Sequence, residues 1–148
     1  MTTLIQAFTL VSVLLVSALS FAEQKQVFGD YEVHYIGLTS SELDKDAARI
    51  YDIPRSRKLG YLSISVLKTG VSEMPVAWDA ELSGTMTNLI GQQKTLTFKR
   101  IQETNALYFH STFDFLDENM YKFDIQVKPQ GETRVFDLKF NQRFYYGE

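Results

Sequence analysis

Hydrophobic and polar residues alternate most regularly in the C-terminal third of the chain. From residue 121 to residue 128, Tyr, Phe, Ile and Val alternate with Lys, Asp, Gln and Lys. A period of two puts the two sets on opposite faces of a β-strand. The pattern therefore predicts an antiparallel strand with one buried and one solvated face. Similar alternation at residues 107–115 and 134–144 predicts that this strand is the middle one of a three-stranded meander.

The turn residues at 129–132 predict a hairpin between the second and third of these strands. One register of this hairpin places like charges directly opposite each other, which is unfavourable. The alternative register places Asp124 opposite Lys139 on the solvated face and Phe123 opposite Phe140 on the buried face. We therefore predict the alternative register.

The same period of two recurs earlier in the chain and predicts four further strands, at residues 27–38, 59–67, 76–87 and 94–102. Gly84 falls on the apolar side of its strand, which indicates either a bulge or a close approach of another backbone. The alternation breaks at Arg100 and Ile101, where a β-bulge would shift the phase.

One helix is predicted, at residues 42–51, because apolar residues recur there at positions i, i+4 and i+7. Ser41 is the expected N-cap, and Asp44 three residues later completes an approximate capping box. Pro54 ends the helix, since the residue before a proline avoids helical backbone angles.

About seven strands, one short helix and short turns predict an all-β fold. We expect an antiparallel immunoglobulin-like β-sandwich, with a small β-barrel as the alternative. Phe144 continues the inward phase of the last strand and is expected to close the core, while Tyr145 faces the other side.

Residues 1–22 are interpreted as an export signal. The segment is apolar and uncharged, and it ends in Ser20-Phe21-Ala22, with small residues at the positions that precede a cleavage site. Its N-terminus lacks Lys and Arg, unlike most signals. Cleavage after Ala22 would leave residues 23–148 as a single domain. The rival interpretation is an uncleaved anchor, and membrane contact is expected only through this segment.

The composition excludes several classes of protein and site. Because 45% of the residues are hydrophobic and only 22% are charged, a disordered chain is not expected. The net charge is −3 without a basic stripe, which argues against nucleic-acid binding. The absence of cysteine excludes disulfides, cysteine zinc sites and thiol nucleophiles.

The remaining residues give no catalytic or metal-binding spacing. His34 and His110 are the two histidines, and both lie in predicted strands without a second ligand nearby in sequence. No serine elbow and no glycine-rich phosphate loop occurs. We therefore expect no catalytic residue, metal or cofactor.

The basic loop around Arg55 and Arg57 is the candidate contact for an anion, since three cations occur within four residues at 55–58. Its alternative interpretation is a solvated turn that complements the C-terminal end of the helix.

Three stretches, residues 29–35, 51–56 and 60–66, resemble a family of small predicted periplasmic proteins of Gram-negative gammaproteobacteria that is classed as a domain of unknown function. The resemblance extends over the region after the signal segment. It implies a periplasmic location and a single domain, and it transfers no functional residue.

These observations favour a non-enzymatic periplasmic binding or interaction module. Its partner would be a protein or a small anionic ligand, and its candidate contact residues are Tyr35, His34, Arg55 and Arg57. Two alternatives remain open, a small metal-dependent or hydrolytic enzyme that uses His34 and His110, and a barrel that carries an apolar ligand.

Overall fold

The computed structural model of the protein describes residues 24–148. Within these residues the chain forms α1 (Lys45–Ile50), a short 3-10 helix (Ser40–Glu42) and ten strands. The strands are β1 (Gln24–Phe28), β2 (Tyr31–Thr39), β3 (Leu59–Lys68), β4 (Val76–Ala77), β5 (Ala80–Asn88), β6 (Gln93–Leu96), β7 (Lys99–Gln102), β8 (Leu107–Asp114), β9 (Met120–Pro129) and β10 (Phe136–Arg143). The expected signal segment and its cleavage after Ala22 lie outside the described residues.

The strands form two antiparallel sheets that pack face to face. Sheet A has the order β1-β2-β3-β8-β7, with β4 also paired to β3, and sheet B has the order β10-β9-β5-β6. The apolar phases of both sheets meet between them, where Leu62, Ile64, Phe123, Ile125 and Val127 are fully buried. The predicted all-β sandwich is confirmed, and the described strands do not close into the alternative barrel.

Two predicted strands are each divided between the sheets. The stretch at 76–87 splits into β4 in sheet A and β5 in sheet B, and the stretch at 94–102 splits into β6 in sheet B and β7 in sheet A. The bulge expected at Arg100 and Ile101 was therefore wrong, because the alternation breaks where the chain has just changed sheets. Arg100 instead forms two 3.1 Å bonds and one 2.8 Å bond to the carboxylate of Asp79, beside the other crossing.

The N-terminal elements are shorter than predicted. The strand expected at 27–38 is a hairpin of β1 and β2 that turns at Gly29, whose φ is 60°. The N-cap of α1 is Asp44, whose Oδ1 accepts hydrogen bonds of 3.0 Å from the backbone N–H groups of Asp46 and Ala47. The assignment of Ser41 as the cap was wrong, because the chain first completes a separate 3-10 turn there.

The C-terminal hairpin has the predicted register. Asp124 pairs with Lys139, with 3.7 Å between the charged groups, and the rings of Phe123 and Phe140 stack 4.8 Å apart. The three-stranded meander was wrong, because β8 belongs to sheet A and β5 takes its expected place beside β9. Phe113 of β8 instead meets Phe123 across the core, with ring centroids 5.6 Å apart.

Candidate functional site

A groove lies between α1 and the outer face of sheet A. We call it the α1 groove, and its volume is about 360 Å³. Its apolar lining consists of Ile36, Leu38, Leu43, Ala47, Ala48 and Ile53. Its aromatic and polar lining consists of Tyr51, Tyr61, Tyr108, His110, Ser63 and Glu103. The helix and the sheet therefore enclose a mainly apolar space that opens to solvent.

The local sequence explains why the helix leaves this space. The helix has six residues, and it places Ala47 and Ala48 against the sheet, where longer side chains would fill the gap. Ala48 is buried, whereas Ile50 at the end of the helix is exposed. Asp52 then adopts a φ of 55°, and the backbone N–H of Ile53 donates a 2.8 Å bond to the carbonyl of Ala48. This turn brings the chain back over the sheet and leaves the groove beneath it.

His110 forms the polar centre of the groove and is 8% exposed. Its ring is surrounded by those of Tyr61, Tyr108 and Tyr51, at centroid distances of 5.1, 5.9 and 6.0 Å. Its Nδ1 is buried without a hydrogen-bond partner. Buried polar atoms in native proteins nearly always have partners, so this unpartnered nitrogen, although almost inaccessible, marks His110 as a candidate contact for a ligand.

The floor of the groove is polar but uncharged at neutral pH. Burial, reinforced by the nearby charge of Lys99, lowers the pKa of His110 to about 4. Burial raises the pKa of Tyr61 to about 12. Both groups are therefore neutral between these values, and each can still form a hydrogen bond.

The low pKa of His110 predicts a loss of stability in mild acid. The unfolded chain binds a proton at this histidine near pH 6.5, whereas the folded chain does so only near pH 4. The free energy of unfolding should therefore fall as the pH drops from 6.5 to 4, by at most about 1.4 kcal/mol per unit. His110→Gln should remove this part of the slope in urea titrations at a series of pH values, whereas the control His34→Gln should retain it. An unchanged slope in His110→Gln would contradict the prediction.

His34 lies on the same face of sheet A but outside the groove. Its Nε2 is 2.9 Å from Glu32 Oε2, and Lys25 donates a 3.2 Å bond to the other oxygen of that carboxylate. The hydrogen bond from His34, followed by that from Lys25, lowers the pKa of Glu32. His34 pairs with Ser65 of β3, and His110 pairs with Ser63 from the other side.

The two histidines therefore do not converge. Two strand spacings and a two-residue offset separate their Cα atoms by roughly 12 Å. Within residues 24–148, no group of three or more His, Asp or Glu side chains is placed to hold a metal ion.

The other sequence candidates lie apart from one another. Tyr35 points into the core and stacks on Phe140 at 4.2 Å, on the face of β2 opposite to His34. Arg55 donates a 2.9 Å bond to the carbonyl of Leu43, and Arg57 donates a 2.7 Å bond to the carbonyl of Gly147. Both arginines thus brace neighbouring chain segments, and the structure does not bring the four candidates together in one site.

The sequence interpretation missed the α1 groove, although the sequence itself contains a signal for a covering element. Ile36 and Leu38 are apolar residues in the polar phase of β2, so they needed a cover on the outer face of sheet A. Leu43 and Ala47 belong to the apolar stripe of the predicted helix, for which no packing partner was assigned from the sequence. Matching these two sets would have predicted a helix packed across β2.

Two further surface features differ from the groove. A cleft of about 550 Å³ runs beside residues 142–148, but neither of the two buried unpartnered side-chain atoms in the described region lines it. At one end of the sandwich, Leu89, Ile90 and Leu116 form an exposed apolar tip, with exposures of 81%, 79% and 61%. Neither feature combines a mainly apolar groove with an unpartnered polar group.

Comparison with known proteins identifies structural relatives. A family model described as "Domain of unknown function (DUF4426)" matches residues 25–147. A DUF4426 family protein from Pseudomonas aeruginosa has 30% identity and a TM-score of 0.73, with 85% of this chain and 97% of that chain covered. No curated protein matches the sequence. Within residues 24–148, no helix is both long enough and apolar enough to cross a membrane.

More distant similarity extends to FetP of uropathogenic Escherichia coli, which was expressed recombinantly in the periplasm. It has 9% identity and a TM-score of 0.62, with 85% of this chain and 95% of that chain covered. A copper-bound variant of FetP has 10% identity and a TM-score of 0.58, with 86% and 92% covered. At these identities the similarity shows the fold alone.

Proposed function

This chain belongs to the DUF4426 family, whose function is unknown, and we propose that it is a periplasmic, non-enzymatic binding module that takes a small apolar ligand in the α1 groove. The observation that carries the proposal is an apolar groove of about 360 Å³ with an unpartnered polar atom at His110. Small-molecule sites have this character, since apolar walls supply affinity and a few polar groups orient the ligand.

The periplasmic part of the proposal is supported by two observations. Residues 1–22 have the apolar core and the small-residue exit of an export signal, with cleavage expected after Ala22. FetP, a fold relative, was expressed in the periplasm. The proposed binding module is then residues 23–148.

The geometry favours a carrier that binds its ligand in a surface groove, in contrast to a barrel that binds it in the interior. The interior between the sheets is filled by buried side chains such as Phe123 and Leu138, which supports a ligand site on the outside of the sandwich and not between the sheets. His34 and His110 lie on β2 and β8, the two strands that flank β3, and they have different neighbours. We therefore propose no enzymatic function that uses both. An uncharged floor also suits a neutral ligand better than an anion.

Filling the groove tests the proposal. Ala47→Trp places a large side chain in the groove, whereas Lys45→Trp places one on the exposed side of the same helix. The neutral fluorescent probe N-phenyl-1-naphthylamine should bind the natural chain saturably with one site. We expect Ala47→Trp to weaken this binding about tenfold or more, since it removes most of the apolar contact. Lys45→Trp should bind within about twofold of the natural chain.

Two controls make this experiment decisive. The protein is purified from the periplasmic fraction, so that its mass also tests cleavage after Ala22. A Leu89→Ser, Ile90→Ser double variant removes most of the exposed apolar tip, where the probe could bind nonspecifically. Unchanged binding in Ala47→Trp, or loss of binding in the tip variant alone, would contradict a ligand site in the α1 groove.

A further inference from the structure

The unpartnered imidazole of His110 restricts which ligand suits the groove. A neutral imidazole carries one donor nitrogen and one acceptor nitrogen. Nδ1 is buried without a partner, and the residue as a whole is 8% exposed. Because Nδ1 has almost no accessible surface, a ligand reaches it only when the surrounding rings shift; a hydroxyl or amine group would then supply the partner that a pure hydrocarbon cannot.

The walls around this imidazole favour a planar ligand. The ring planes of Tyr51 and Tyr61 lie at 88° and 73° to that of His110, so aromatic edges and faces alternate around it. Tyr108 adds a tilted ring at 42°. Aromatic groups prefer such edge-to-face and offset contacts, which makes an aromatic ring the natural continuation of the cluster.

The charged groups near the groove do not call for an ionic ligand. Lys99 lies opposite His110 in the sheet, is exposed, and donates a 3.1 Å bond from Nζ to the carbonyl of Tyr51, so its charge is solvated by water and by that carbonyl. Glu103 lines the groove but is exposed. The deep part of the groove therefore combines aromatic walls with one uncharged polar ring.

We infer that the ligand of the α1 groove is a neutral aromatic molecule with one hydroxyl or amine group that hydrogen-bonds to the imidazole of His110. This inference rests on the proposed function and adds the chemical class of the ligand. Phenolic and indole-like compounds belong to this class. His110 acts as the specificity-determining residue. The apolar lining contacts the hydrocarbon part of the ligand and does not distinguish between similar rings.

A matched pair of probes tests the inference. Naphthalene and 2-naphthol share one ring system and differ by a hydroxyl, and both are neutral at pH 7. We expect the natural chain to bind 2-naphthol about tenfold more tightly than naphthalene, the usual effect of one hydrogen bond. His110→Phe should abolish this preference, because phenylalanine has a similar shape but no nitrogen that can form the hydrogen bond. His34→Phe, on the same sheet face outside the groove, should retain the preference.

A spectroscopic measurement supplies an independent readout. The imidazole ¹⁵N signals of His110 should shift on addition of 2-naphthol and move little with naphthalene. Equal affinities for the two probes, or a preference that persists in His110→Phe, would overturn the inference and leave the proposed function standing. If neither these probes nor N-phenyl-1-naphthylamine occupies the groove, the proposed function fails as well.

Discussion

Replacing Phe144 with alanine is expected to lower the free energy of unfolding by about 3–5 kcal/mol, the range for truncation of a buried phenylalanine. Phe144 is 2% exposed although it lies beyond the last strand. Its ring centroid lies 5.2 Å from that of Phe113 in sheet A and 5.9 Å from that of Phe123 in sheet B. The side chain therefore joins the two sheets at the end of the core.

Backbone contacts hold Phe144 in this position. Its N–H donates a 3.1 Å bond to the carbonyl of Asn119, and its ring also contacts those of Phe115 and Tyr121. Because four rigid aromatic rings contact Phe144, neighbouring side chains cannot collapse easily into the space that alanine would leave. A cost near the upper end of the range is expected.

The neighbouring residue provides the control for Phe144→Ala. Tyr145 is 56% exposed and faces away from the core, so Tyr145→Ala should change the free energy of unfolding by about 0.5 kcal/mol or less. Urea denaturation followed by circular dichroism measures both variants. Similar losses for the two would mean that the tail as a whole, rather than the buried ring, stabilises the fold.

Gly84→Ala is expected to be the second severe substitution, with a loss of roughly 3 kcal/mol in the free energy of unfolding. A Cβ at this position would lie 2.7 Å from the carbonyl oxygen of Asp124 and 2.9 Å from the Cα of Ile125. Both are backbone atoms of β9, which is bonded to strands on both sides and cannot shift without disturbing sheet B. Gly84 thus marks the close backbone approach that the sequence suggested as one of two interpretations, and it pairs regularly with Ile125 and Leu96.

Gly91, which has open space around it, provides the control that separates the steric clash at Gly84 from ordinary backbone effects. Gly91 has a φ of 83°, and a Cβ added there meets nothing within 4 Å. Gly91→Ala should therefore cost only about 1–2 kcal/mol, from left-handed backbone strain. Chemical denaturation of the two variants tests the difference. A loss for Gly84→Ala no greater than that for Gly91→Ala would show that β9 yields to the added methyl group.

The sequence identified parts of the candidate site and missed its assembly. It placed His110 and His34 correctly on strands and Ala47 on a helix, whereas Leu43, predicted to be helical, lies just before α1. It also proposed Tyr35 as a contact residue, although Tyr35 shares the phase of Val33, which is fully buried. The apolar residues Ile36 and Leu38 were a sequence signal for a cover over β2, but no local pattern showed that α1 also lies over β3 and β8.

The sequence by itself determined which face of the long strands β2, β3, β5, β8, β9 and β10 is buried, where the C-terminal hairpin pairs, and that Phe144 points inward. A period of two encodes these properties locally, and charge pairs such as Asp124 with Lys139 select the register. Only the tertiary structure decided that β5 rather than β8 lies beside β9, and that two predicted strands cross between sheets. The reason is that alternation specifies only which face of a strand is buried. It does not specify which strand lies beside it in the sheet, because that choice depends on long-range packing.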